Sequence, residues 1–200
     1  MFPEGQHNQC VPTGFSRFKQ YIESKVMWNV NEDYETLKQS FFTNYFRDAS
    51  DIMLTYYEEL RTQLARIYAS GLTGGTNMAR GRIYENIGQT RLWPTALLQK
   101  WLGYINQAYA SIEYLKNVDT DLYNQLKNHI DIEAIFVKFA LCDLCEIDYT
   151  QEEMLAMRED FVQLTCGVSD YMLNVYGSRV GFRVRETGAA WGFVYDWGLA

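Results

Sequence analysis

Two short polar groupings contain the residue types that could carry acid–base chemistry. The first is Glu4 and His7, which lie among amide side chains near the N-terminus. The second is His129 and Glu133, which are four residues apart and therefore share one face of any helix that contains them. Glu4 and His7 could bind a hydroxylated ligand through hydrogen bonds or transfer protons, so we take them as candidate substrate-binding residues. Composition alone predicts a solvated N-terminal segment there.

Neither grouping completes a catalytic or metal site. A di-iron helical bundle needs two Glu-x-x-His pairs, and the chain has only two histidines. Cys142 and Cys145 form a C-x-x-C string without a second ligand pair, so we expect reduced, mostly buried thiols. We expect His129 and Glu133 to be a surface pair. The sequence therefore predicts no catalytic residue set, no metal site and no cofactor.

Charge and hydropathy exclude two classes of partner. The net charge is −7 and there is no run of Lys or Arg, which excludes the phosphate contacts that nucleic-acid binding requires. No apolar run approaches the 18 or so residues of a membrane span, and no signal peptide follows Met1. We expect a cytoplasmic protein if Met1 is the true start, and an exported one if the chain is a fragment of a longer secreted protein.

The stretch Trp93–Leu115 is the element that should organise the rest of the chain. Its apolar residues recur at helical spacing, which predicts a helix over about residues 94–118 with one wide apolar face. Pro94 suits the first helical turn because its missing N–H is not needed there. Such a helix must be covered by other elements.

The remaining periodicity predicts an all-α fold, a bundle or array of about six helices with one long antiparallel pair. Helix starts are indicated by residues that can cap free backbone N–H groups, namely Thr13, Asn31 or Asp33, Asp119, and the capping box of Thr150 and Glu153. The predicted organisation is an N-terminal tail over 1–13, a helical domain over 14–177 and a short β or irregular tail over 178–200. Residues 71–92 are the longest predicted connection. Alternating residues in 179–185 and again in 192–197 predict a small C-terminal β-hairpin.

Two segments resemble a known family. Residues 14–33, GFSRFKQYIESKVMWNVNED, followed by residues 41–49, FFTNYFRDA, resemble the C-terminal part of large bacterial DUF4838 proteins. In that family an LKxYLxxKLxWN helix precedes a D…F…YYGxA helix; Phe46-Arg47-Asp48 stands here in place of the family's Tyr-Gly. The resemblance covers about residues 1–70 and, less closely, 93–165.

The resemblance implies a place in a longer protein. The family looks like the glycoside-hydrolase lineage that includes α-glucuronidases, with an α/β domain, a TIM-like barrel and a helical C-terminal domain. It implies that residues 1–9 end the last barrel strand, with Glu4 and Gly5 at the sugar-binding mouth. The expected function is a helical module of a glycoside-hydrolase-like, polysaccharide-processing protein, structural or interactive and not catalytic alone. Its expected partners are carbohydrate, a barrel domain or a second copy.

Two alternatives remain open at the sequence level. The chain could be a stand-alone carbohydrate- or protein-binding or oligomerisation module. It could also be a small helical enzyme that uses Glu4 and His7, or His129 and Glu133. An exposed aromatic patch would favour the binding module, and loss of activity on alanine replacement at those four residues would favour the enzyme.

Overall fold

The computed structural model describes residues 13–70 and 92–176, and the backbone of 183–184 and 194–195. Each of the two long ranges folds into three α-helices, and short turns join the helices within each range. The all-α class predicted from the sequence is therefore confirmed. The helices are α1 (Ser16–Trp28), α2 (Tyr34–Phe46), α3 (Ser50–Ala69), α4 (Thr95–Ile112), α5 (Thr120–Leu144) and α6 (Gln151–Tyr176).

Three helix starts carry the caps that the sequence predicts. The Asp33 side chain accepts a hydrogen bond from Thr36 N at 2.8 Å, and the Asp119 side chain accepts one from Leu122 N at 3.0 Å. The third start is a reciprocal capping box before α6. Thr150 N donates to Glu153 Oε2 at 2.8 Å, and Glu153 N donates to Thr150 Oγ1 at 3.2 Å.

The start of α1 differs from the prediction. Thr13 does not cap the helix: its hydroxyl is buried and has no hydrogen-bond partner among the described residues. Phe15 is the N-cap residue and makes no side-chain cap bond. Gly14 and Phe15 both have positive φ, at 70° and 58°. Glycine takes this conformation readily, whereas phenylalanine does so only where its surroundings compensate for the strain.

The central element is α5, not the stretch around α4 that the sequence indicates. Residues on all faces of α5 are buried from Ile130 to Cys142, with Lys138 only partly so, and the helix packs against α2, α4 and α6. Helix α4 buries one face, formed by Leu98, Trp101, Ile105, Ala108 and Ile112. Helical periodicity indicates α4 because a helix with one buried face shows the clearest apolar pattern, whereas a helix covered on all sides shows a weaker one.

An aromatic cluster joins the first three helices. The Phe15 ring lies 5.6 Å from that of Phe42 and 5.3 Å from that of Tyr56, measured between centroids. The Phe18 ring lies 5.2 Å from Phe41 and 5.4 Å from Phe42. Tilted and edge-on contacts of this kind stabilise the packing beyond the area that they bury. The phenylalanines of the segments that carry the family resemblance thus form one side of the core.

The long antiparallel pair is α4 and α5, joined by a 3₁₀ turn over Glu113–Asn117. Trp93, just before α4, contacts Phe136 in the later half of α5, and Tyr109 near the end of α4 bonds Asp131. The predicted C-terminal hairpin is not supported. The backbone pairs Arg183–Val184 and Val194–Tyr195 run parallel, whereas the strands of a hairpin are antiparallel. All but the last residue of the predicted N-terminal tail (1–13) and all but the last residue of the predicted 71–92 connection lie outside the described residues.

Candidate functional site

Glu133 is a buried carboxylate that caps α1 from a distant part of the chain. Its side chain is 1% exposed, and Oε2 accepts a hydrogen bond from Phe15 N at 2.8 Å. Burial raises the pKa of Glu133 to about 8, although the backbone N–H groups of Phe15 and Gly14 and the charge of Arg17 act to lower it. The two positive-φ residues aim their N–H groups at this carboxylate. Glu133 therefore takes the place of the side-chain cap that α1 lacks locally.

His129 is one turn away on α5 and is also buried, with 5% exposure. Its Nδ1 lies 2.8 Å from the carbonyl oxygen of Tyr45, so Nδ1 carries the proton and donates it. Nε2 then accepts a hydrogen bond from the Tyr171 hydroxyl at 3.4 Å. The ring stacks on that of Tyr45, with centroids 3.7 Å apart. Burial lowers the pKa of His129, which keeps the imidazole neutral.

The prediction that His129 and Glu133 form a pair on the surface is therefore wrong. The sequence favours the surface for both side chains because they are polar and share a helical face, but that face of α5 is covered by α1 and α2. Each side chain is engaged by a different backbone group, at Phe15 and at Tyr45. The geometry holds α1 and α2 against α5. The other candidates, Glu4 and His7, lie outside the described residues.

The C-x-x-C string is part of the core, as the sequence predicts. Cys142 and Cys145 are free, buried thiols, whereas Cys166 is exposed. Burial raises the pKa of Cys142 to about 12 and also raises the pKa of Cys145, which disfavours the reactive thiolate. Across residues 13–70 and 92–176, no group of three or more His, Cys, Asp or Glu side chains is arranged to hold a metal ion.

A groove of about 660 Å³ runs between α3 and α4. Its two central carboxylates, Glu58 and Glu59, are already engaged in holding helices together. Glu58 pairs with Lys38 of α2 and with Arg61. Glu59 accepts hydrogen bonds from three side chains of α4: Lys100 at 2.6 Å, Tyr104 at 2.9 Å and Trp101 at 3.1 Å.

A second groove, of about 370 Å³, lies where α4, α5 and α6 meet, and we call it the α4–α5–α6 groove. Asp131 is buried at its base and accepts hydrogen bonds from the Tyr109 hydroxyl and from Lys127 Nζ, each at 2.7 Å. Its lining is completed by Tyr123, Lys138, Asp160, Gln163, Leu164 and Gly167. The groove was not predicted from the sequence, although Asp131 and Glu133, two charged residues among the apolar residues of 130–135, are a signal that could have indicated it.

The end of α1 presents a strongly exposed apolar surface, which we call the α1 tip: Met27, Trp28 and Val30. Trp28 is 94% exposed, Val30 80% and Met27 54%. The adjoining turn is ordered by Asn29, whose backbone N–H donates to the Lys25 carbonyl at 2.9 Å and whose side chain accepts from Asn31 N at 3.1 Å. Clustered exposure of large apolar residues marks an interaction site more often than isolated exposure does.

None of the helices in the described ranges combines the length and the apolar character that a membrane crossing requires. Comparison of the chain with protein-family models, with curated proteins and with solved structures finds no match.

Proposed function

We propose that this chain is the helical module of a glycoside-hydrolase-like, polysaccharide-processing protein, with a structural and interactive role and no catalysis of its own. The proposal joins the family resemblance of residues 14–49 to the position of those residues in the fold. The observation that carries it is the α1 tip, where the indole of Trp28 is exposed beside an ordered turn at the end of α1, the helix that carries the family resemblance.

The acid–base groups support a structural role. A catalytic Glu or His must reach the proton that it transfers, but Glu133 is closed off from solvent and binds the start of α1. His129 is held between Tyr45 and Tyr171. Both residues therefore stabilise the attachment of α1 and α2 to α5, which positions the α1 tip.

Tryptophan is often at the centre of protein interfaces because burying its large rigid ring against a partner strongly stabilises the complex. Trp28 is suited to such a contact since its neighbours Met27 and Val30 extend the apolar surface. We propose that the α1 tip packs against the barrel domain that the resemblance implies.

The decisive measurement is the intact mass of the native gene product in its source cells, detected with an antibody against this chain. The proposal expects a species several tens of kilodaltons above 23.4 kDa. A product at 23.4 kDa would remove it and leave the stand-alone binding module as the better explanation.

The role of the α1 tip is tested in that longer protein by limited proteolysis. We expect Trp28→Ala to release the helical module faster than wild type does. Ile147→Ala is the matched control, because Ile147 is equally exposed, at 94%, on the turn before α6. Equal release rates for the two variants would contradict a role for the tip.

A further inference from the structure

We propose that the α4–α5–α6 groove binds a neutral saccharide unit. The choice of a saccharide rests on the proposed function, whereas the existence of a binding site rests on the groove itself. Its volume of about 370 Å³ falls within the range of small-molecule sites.

The base of the groove is preorganised. Asp131 has a side chain that is 5% exposed, and its two oxygens are fixed separately, Oδ1 by the Tyr109 hydroxyl and Oδ2 by Lys127 Nζ. A carboxylate oxygen can accept more than one hydrogen bond. Asp131 therefore retains acceptor capacity for a ligand hydroxyl without any rearrangement.

The charges of the groove are balanced internally. Lys127 pairs with Asp131, and Lys138 pairs with Asp160 across α5 and α6. A charged ligand would compete with these partners, and displacing Lys127 would leave the buried charge of Asp131 uncompensated, which costs free energy. A neutral ligand rich in hydroxyl groups can add hydrogen bonds to both pairs as they stand.

Two tyrosine rings supply the apolar contact that sugar rings also need. Tyr109 and Tyr123 both line the groove. A lysine ammonium lies over one face of each ring: Lys127 Nζ is 5.9 Å from the centroid of Tyr109, and Lys116 Nζ is 5.1 Å from that of Tyr123. Aromatic faces pack against the C–H groups of a saccharide, while the hydroxyls meet the surrounding polar side chains. The exposed Gln163 adds an amide that can both donate and accept.

The α6 side of the groove is open because of Gly167. A Cβ placed at this position would meet no atom within 4 Å, so α6 leaves space there for a ligand. The α3–α4 groove is larger, but none of the described residues that line it is aromatic. The α4–α5–α6 groove is thus the better match to a saccharide.

Filling the groove tests the inference. The full chain is applied to an array of neutral and acidic glycans, and the affinity for the strongest neutral oligosaccharide is measured by calorimetry. We expect Gly167→Leu to weaken binding by about tenfold or more, because the leucine occupies the open space. Gly103→Leu is the matched control: Gly103 is also a helical glycine with open space around its Cβ position, but it does not line the groove.

A second variant guards against a folding defect in the first. Gln163→Ala removes only an exposed amide, and we expect it to weaken the same interaction several-fold while circular dichroism and thermal unfolding stay unchanged. The inference is overturned if no neutral glycan binds, if only acidic glycans bind, or if Gly167→Leu binds as well as Gly103→Leu.

Sedimentation velocity tests whether the occupant of the groove is instead a second copy of this chain. A wild-type dimer that becomes monomeric in Gly167→Leu would assign the groove to self-association and overturn the saccharide assignment. The intact-mass measurement does not depend on any of these results. Failure of the saccharide proposal can therefore be distinguished from failure of the proposed function.

Discussion

The carboxylate of Glu133 on α5 accepts a hydrogen bond from the backbone N–H of Phe15, which lies 118 residues earlier in the chain. This one contact closes the first helix onto the central helix. Because the carboxylate is buried, its protonation and the stability of the fold are coupled.

We expect stability to fall as pH rises in a way that depends on Glu133. Its pKa is about 8 in the folded chain, against an ordinary value of 4.5. A pKa that is raised by folding contributes stability that is fully present below about 4.5 and is lost as the pH rises through about 8. This difference in pKa corresponds to a contribution of about several kcal/mol at most to the free energy of unfolding.

The measurement is urea unfolding at pH 5, 7 and 9 for wild type and Glu133→Gln. Glutamine keeps an oxygen acceptor for Phe15 N but cannot ionise, so the variant should lose much less stability between pH 5 and 9. Parallel pH dependence in the two proteins would show that Glu133 does not titrate in this range.

The two helical glycines of the described ranges, Gly103 and Gly167, should be replaceable by alanine with a gain in stability. A methyl group added at Gly103 or at Gly167 would meet no atom within 4 Å, and alanine favours helices over glycine by about 0.5–1 kcal/mol. Gly14→Ala is the contrasting variant, because its φ of 70° strains an alanine, and it should cost roughly 1 kcal/mol. Shifts in the urea midpoint at constant slope measure all three, and a gain for Gly14→Ala would contradict the left-handed turn.

Glu59 should matter more than other surface carboxylates, since it joins α3 to three residues of α4. Burial acts to raise its pKa, but the hydrogen bonds from Lys100, Tyr104 and Trp101 outweigh it and lower the pKa. We expect Glu59→Gln to cost roughly 1 kcal/mol of unfolding free energy. Glu113→Gln, which removes an exposed pair with Lys116, is the control and should leave the unfolding midpoint unchanged.

The exposed Cys166 should react with thiol reagents much faster than the buried Cys142 and Cys145. In a Cys10→Ser background, we expect a disulfide reagent at pH 8 to label Cys166 rapidly and to reach Cys142 and Cys145 only on unfolding, because burial raises the pKa of both. Mass spectrometry of the labelled peptides identifies the sites. Fast labelling of Cys142 in the native protein would place it on the surface and contradict the packing of α5 against α6.

Helix ends could be predicted where the cap is local. Asp33, Asp119, and Thr150 with Glu153 each bond a backbone group three residues away, so a short window of sequence contains both partners. The cap of α1 could not be predicted in this way, because Glu133 is far from Phe15 in sequence. Thr13 is only a residue of a capping type that lies near the start of the helix.

The candidate sites were harder to predict for a related reason. Sequence periodicity assigns a polar residue to the solvent side of a helix, but α5 is covered on nearly every side. His129, Asp131 and Glu133 are therefore buried, and each has a partner outside α5: Tyr45, Tyr109 and Phe15. Alternation in the C-terminal segments indicates strands but carries no information on strand direction, so the parallel pairing could not be foreseen.

The long-range cap of α1 also constrains the order in which the protein assembles on the ribosome. Helix α1 is synthesised before α5, and at typical elongation rates about 118 residues take on the order of ten seconds. During that time Phe15 and Phe18 have α2 and α3 as partners, but the start of α1 has no cap.

The α4–α5 pair is joined by a short turn, so its contacts are close in sequence and should form faster than the contact between Glu133 and Phe15. Pulsed hydrogen exchange during refolding should therefore protect α5 before α1, and simultaneous protection would contradict this order.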